Sequence, residues 1–145
     1  MSGKFFLDTN ILVYTFDASA PDKQTIARQL VATALHSQQG VISYQVMQEF
    51  LNVASRKFSP PLSPVDADTY LDKVLTPLCE FFPCIEYYAK ALKISEQWKY
   101  SLYDALIITA AIETECEVLY TEDLQHKQSI QGLTIINPFH SCAKS

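Results

Sequence analysis

Four carboxylates interrupt stretches of sequence that are otherwise apolar. Asp8 closes the run Phe5-Phe6-Leu7, and Glu49 lies within Val46-Met47-Gln48-Glu49-Phe50-Leu51. Asp104 opens Asp104-Ala105-Leu106-Ile107-Ile108, and Asp123 follows Val118-Leu119-Tyr120-Thr121. An isolated buried carboxylate is costly unless it is paired, protonated or bound to a metal. Several brought to one place repel each other, and a divalent cation relieves that repulsion. The chemistry such a group supports is magnesium- or manganese-dependent work on phosphates, because both ions prefer oxygen ligands.

Each acid also has a plainer reading. Asp8 precedes Thr9-Asn10 and could cap a short helix. Asp104 could be a structural acid in a first helical turn, where the helix dipole favours negative charge. Glu49 has no capping role in mid-helix but could turn to solvent. Asp123 could sit in an ordinary loop, and its neighbour Glu122 competes with it for any ligand role. The four gain weight from a topology that gathers them.

That topology follows from the pattern of the chain. Short apolar runs at Lys4 to Leu7, Val41 to Ser43, Cys79 to Phe82, Val118 to Tyr120 and Leu133 to Ile136 read as five strands. Helices are predicted over Asn10 to Phe16, Pro21 to Ser37, Gln45 to Lys57, Pro64 to Leu75, Ile85 to Trp98 and Tyr103 to Glu115. Gly40 is read as the break after the second helix, and Ile26, Leu30, Ala34 and Leu35 as that helix's apolar side. Continuous apolar strands alternating with helices indicate an α/β fold with a parallel sheet covered on both faces. Ligands of such sheets bind beyond the carboxyl ends of the strands, where Asp8 and Asp123 fall. Val46, Phe50 and Val53 form a buried stripe beside Glu49, and Asp104 shares a helix face with Ile107, Ile108 and Ala111.

Composition sets the bounds. The 145 residues fit a single domain over 1–145, with 48% hydrophobic and 19% charged residues, as in a soluble globular protein. No apolar run approaches the roughly 20 residues of a membrane span. No cleavable leader is read at the N-terminus. Cys79, Cys84, Cys116 and Cys142 lack metal-site spacing with one another or with His36, His126 and His140, so free thiols in a cytoplasmic protein are expected. A serine-hydrolase elbow and a phosphate-binding glycine loop are both missing, with only three glycines in the chain. The net charge of −5 implies a modest intrinsic grip on nucleic acid.

The segments Phe6-Leu7-Asp8-Thr9-Asn10-Ile11-Leu12, Ile42-Ser43-Tyr44-Gln45-Val46-Met47-Gln48-Glu49-Phe50, Ser101-Leu102-Tyr103-Asp104-Ala105-Leu106-Ile107, Leu119-Tyr120-Thr121-Glu122-Asp123-Leu124 and Ile136-Asn137-Pro138-Phe139 together resemble the PIN-domain nucleases. Among these the chain is most similar to the VapC-type toxins of toxin–antitoxin pairs. The resemblance implies a five-stranded parallel sheet, order 3-2-1-4-5, sandwiched between helices. It places the four acidic positions of the family at Asp8, Glu49, Asp104 and Asp123, as catalytic residues and metal ligands. It places supporting hydroxyl and amide groups at Thr9, Asn10, Ser43, Ser101 and Thr121. It further implies endoribonuclease activity with one or two Mg2+ or Mn2+ ions, an RNA substrate, a small antitoxin that can insert a basic residue into the site, and a homodimer. The shortage of arginine, with only Arg28 and Arg56, departs from what an RNA-binding surface calls for. Two other readings stay open: a PIN-fold RNA-binding or scaffold module with little activity, and another metal-dependent phosphoesterase or DNA nuclease.

Overall fold

The computed structural model describes residues 3–142. Its sheet is built outward from β1 (Phe5–Leu7), whose Phe6 and Leu7 are completely buried. β2 (Gly40–Ser43) lies parallel on one side and β4 (Val118–Tyr120) parallel on the other. β3 (Cys79–Phe81) pairs with β2, with a register irregularity between Ile42 and Ser43, and β6 (Leu133–Ile136) pairs with β4. These five parallel strands follow the expected order. The expectation of five is short by one: β5 (Ser129–Ile130) adds an antiparallel edge to β6, giving the order β3-β2-β1-β4-β6-β5. The two strands are joined by Gln131-Gly132, both at positive φ, as a two-residue hairpin of the primed type requires.

Helices cover the sheet and continue from the ends of its strands. α1 (Thr9–Tyr14) follows β1 after one residue, and α2 (Pro21–Ser37) begins with proline in its first turn. The buried side of α2 is Ala27, Val31 and Ala34, so the packed stripe is turned from the predicted one, with Ile26, Leu30 and Leu35 only partly covered. Gln38, in the left-handed conformation, ends this helix. Gly40 serves a different end from the predicted break: a Cβ there would overlap Ala34, so its bare Cα lets α2 close onto β2.

α3 (Tyr44–Arg56) buries Val46, Phe50 and Ala54. α4 (Pro64–Tyr70) runs on through a π-helical turn (Leu71–Leu75) into α5 (Thr76–Leu78), three residues beyond the predicted end. α6 (Ile85–Trp98) leads to α7 (Leu102–Glu113). Residues 105 to 111 of α7 are all buried, so this helix is enclosed by its neighbours. All four cysteines are free, and no helix among the described residues is long and apolar enough to cross a membrane.

The sheet's direction of growth reverses at β1. The chain moves from β1 to β2 and β3, then crosses back to place β4 on the other side. In doubly wound sheets this reversal opens a crevice at the strands' carboxyl ends. Asp8 and Thr121 stand there, directly after β1 and β4.

Candidate acid site

Hydrogen bonds lace the ends of β1 and β4 together. Asp8 is the N-cap of α1, with Oδ1 accepting from Thr9 N–H at 2.7 Å. Its Oδ2 accepts from the Thr121 hydroxyl at 2.8 Å. The same Thr121 oxygen, on a wholly buried residue, accepts from Asp123 N–H at 3.1 Å. The Asn10 amide completes the junction. Its Nδ2 lies 3.1 Å from Asp123 Oδ2 and 3.5 Å from Asp8 Oδ2, while its Oδ1 accepts from Glu122 N–H at 3.3 Å.

Glu49 and Asp104 enter from the helices. Glu49, an exposed residue on α3, receives the Thr9 hydroxyl at 3.5 Å. Ser43 caps α3 by accepting from Val46 N–H, and Ser101 caps α7 by accepting from Asp104 N–H at 3.1 Å. These two serines therefore act on the helices that carry the acids. Asp104 sits in the first turn of α7.

The electrostatics register all four charges. Burial pushes the Asp8 carboxyl up from 3.8 to about 6; the Thr121 and Thr9 bonds oppose this, and the charges of Asp123 and Glu49 add to it. Partial desolvation of its carboxylate raises Glu49 although the residue as a whole is exposed, with hydrogen bonds from Gln45 and Thr9 opposing and the charges of Asp104 and Asp123 adding. Like charges and low polarity both favour the neutral acid, as expected where carboxylates share a cleft.

Of the residues singled out in the sequence, Asp8, Asn10, Thr121 and Asp123 meet directly, and Thr9 joins Glu49 to them. Asp104 makes itself felt through its charge on Glu49. Glu122 is taken out of contention: its carboxylate lies 2.6 Å from Lys23 Nζ and 2.7 Å from the Tyr14 hydroxyl. Gln45 was not anticipated. It hydrogen-bonds Glu49 and lies 3.5 Å from the Tyr103 carbonyl. Its place one helical turn before Glu49, at the i to i+4 spacing, is the signal that identifies it.

The donors fit a hard divalent cation in kind, being oxygen throughout, with a partly buried acid, Asp8, whose ionisation a cation would favour. Among the described residues, no three His, Cys, Asp or Glu side chains converge closely enough to hold one ion as they stand. Magnesium needs only one or two carboxylates when water and substrate phosphate supply the rest, so a pair such as Asp8 and Asp123 is sufficient.

Residues 5–129 match the family described as the PIN domain. No curated protein matches the sequence. Among solved structures, a toxin–antitoxin complex from Klebsiella pneumoniae is similar at 21% identity and a TM-score of 0.64, covering 93% of this chain and 98% of that one. VapBC2 from Rickettsia felis, bound to a DNA fragment from its promoter, is similar at 22% identity and a TM-score of 0.59, covering 90% and 96%. VapC20 from Mycobacterium tuberculosis, a toxin cleaving the sarcin–ricin loop, is similar at 16% identity and a TM-score of 0.56, covering 83% and 90%. At these identities the likeness concerns the fold.

Proposed function

The chain belongs to the PIN-domain family, and from that premise we propose that it is a divalent-metal-dependent endoribonuclease, the toxin of a toxin–antitoxin pair. The observation that carries this reading is the junction of Asp8, Thr121, Asn10 and Asp123 at the sheet's reversal point, with Glu49 electrostatically coupled to it and Asp104 coupled in turn to Glu49.

In this reading Asp8, Asp104, Asp123 and Glu49 hold one or two Mg2+ or Mn2+ ions. Such an ion, when bound, acidifies water and offsets charge on phosphoryl oxygens. The chain's own groups do the rest. Thr121 and Thr9 fix the two oxygens of Asp8. Asn10 holds Asp8 and Asp123 side by side despite their charge. Glu49, its affinity for a proton raised by partial desolvation, is suited to take one from the water that attacks phosphorus.

A homodimer and an antitoxin belong to the same proposal. Ile85, Tyr88 and Leu92 form one stripe on α6, and 81% of Ile85 and 59% of Leu92 are exposed. Tyr88 shares a cavity of about 150 Å3 with Tyr44 and Tyr103, and Tyr44 packs on the exposed Phe82. An apolar, aromatic surface of this kind suits a second copy of the chain. The solved toxin–antitoxin complexes of similar fold support an antitoxin partner. The free thiols are compatible with the reducing cytoplasm, where such a pair would operate.

The net charge of −5 favours the second reading, a PIN-fold binding module with little activity, and among the described residues no tight three-carboxylate group opposes it. Incubating the protein with RNA and DNA oligonucleotides, with Mn2+ or EDTA, separates the readings. RNA cleavage lost in EDTA and restored by Mn2+ is the expected result, with Asp8→Asn and Asp104→Asn each slower by orders of magnitude. RNA bound but uncut would establish the binding module. Preferential cutting of DNA would make the chain a different nuclease.

A further inference from the structure

We propose that Glu122 is a positioning residue of the acid site, held by Lys23 and Tyr14; the inference rests on the metal-dependent reading above. Glu122 lies between Thr121, which bonds Asp8, and Asp123, which bonds Asn10. Its own carboxylate turns away from them. One oxygen accepts from the Tyr14 hydroxyl at 2.7 Å and the other from Lys23 Nζ at 2.6 Å. Lys23 Nζ is also 3.3 Å from the Tyr14 oxygen, and it lies 5.0 Å and 5.8 Å from the ring centres of Tyr14 and Phe139. Those two rings meet edge to face at 4.9 Å. The end of α1 and the first turn of α2 thus grip one side chain, and Phe139 after β6 backs both of them.

An exposed ion pair contributes little on its own. This pair is only 30% and 26% exposed, has a third partner in Tyr14, and is backed by two aromatic rings. Its effect on the site passes through the backbone. Glu122 N–H donates to Asn10 Oδ1, which turns Asn10 Nδ2 toward Asp8 and Asp123. That amide is the donor between two like charges. The grip on Glu122 therefore sets the orientation of Asn10, and Asn10 sets the spacing of the two carboxylates. With both oxygens engaged, Glu122 is also kept from competing with Asp123.

The test compares Lys23→Met, Glu122→Gln and the conservative Lys23→Arg in the full chain, well below their melting temperatures. Amide hydrogen exchange is measured without metal, and Mn2+ affinity by electron paramagnetic resonance. Lys23→Met and Glu122→Gln should speed exchange at the Glu122 and Asp123 amides and weaken Mn2+ binding about tenfold, the usual scale for a residue that orients a ligand. Lys23→Arg should restore both. Lower melting temperatures with unchanged Mn2+ affinity would make the network merely structural and overturn the proposal. Wild-type protein that binds no Mn2+ would instead defeat the metal-dependent reading. The NMR shifts of the Asn10 side-chain amide then decide: shifts unchanged in Lys23→Met overturn the positioning role, and shifts moved in Lys23→Met but restored in Lys23→Arg uphold it.

Discussion

Asp8 caps α1 and bonds Thr121, yet burial and two neighbouring charges hold its carboxyl near 6. The capping and functional readings of this residue are compatible, because one oxygen serves each. A raised pKa means that the folded chain keeps this proton more tightly than the unfolded chain does. Stability then falls as pH rises from about 4 through about 6 and levels off above. The gap between 3.8 and about 6 caps the loss from Asp8 at roughly 3 kcal/mol. Metal-free protein should therefore melt lower at pH 7.5 than at pH 5, and saturating Mn2+ should recover much of the difference at pH 7.5. Asp8→Asn should flatten the metal-free profile and melt above wild type at pH 7.5 in EDTA. Thermal melts at both pH values decide the matter. A wild type whose melting temperature ignores both pH and Mn2+ would remove Asp8 from any ion site.

Two serines extend the reasoning to whole elements. Ser101 accepts from Asp104 N–H and so holds the first turn of α7, where that acid sits. Ser101→Ala should cost about 1 kcal/mol. It should also lower the cleavage rate while leaving the NMR shift of the Thr121 amide unchanged, because the cap acts on α7 and not on the Asp8-to-Thr121 junction. Unchanged turnover would mean that the cap has no bearing on the site. The elements most readable in the sequence were those enclosed on both faces. β1 and β4 appear as unbroken apolar or aromatic runs, and β2 and β6 each carry only one hydroxyl, Ser43 and Thr134, because parallel strands under helices need no polar face. β5 escaped notice because two residues cannot display an alternation, although Gln131-Gly132 carries the turn. Gly40 reads in the sequence as the break after the second helix, whereas the fold uses its missing side chain against Ala34. Gly40→Ala should accordingly destabilise by about 1–3 kcal/mol, the range for overpacking, as measured by denaturant unfolding. A neutral result would show that α2 can back away from the sheet freely.

Across the whole molecule, sequence could not distinguish core aromatics from surface ones. Tyr70 and Tyr88 both lie on amphipathic helices, but Tyr70 stacks on Phe50 at 4.7 Å while Tyr88 is 43% exposed. The uncovered apolar surface lies on α6 and the start of α7 together with Tyr44 and Phe82, while Phe16 and Val65 are exposed elsewhere. Ile85→Glu and Tyr103→Glu should abolish self-association in sedimentation at tens of micromolar, with melting temperatures close to wild type. A monomeric wild type would reject the dimer, and association surviving both changes would move it to another surface. The central place of β1 has a consequence for how the chain is made. Its first partner follows within about forty residues of sequence, but the bond from Thr121 to Asp8 spans 113 positions. A growing chain that already displays Asp8, Glu49 and Asp104 still lacks the strand that closes the crevice, along with Thr121 and Asp123. The site therefore cannot assemble until β4 and Thr121, 113 positions after Asp8, have left the ribosome, so the order of synthesis delays the closing of the crevice.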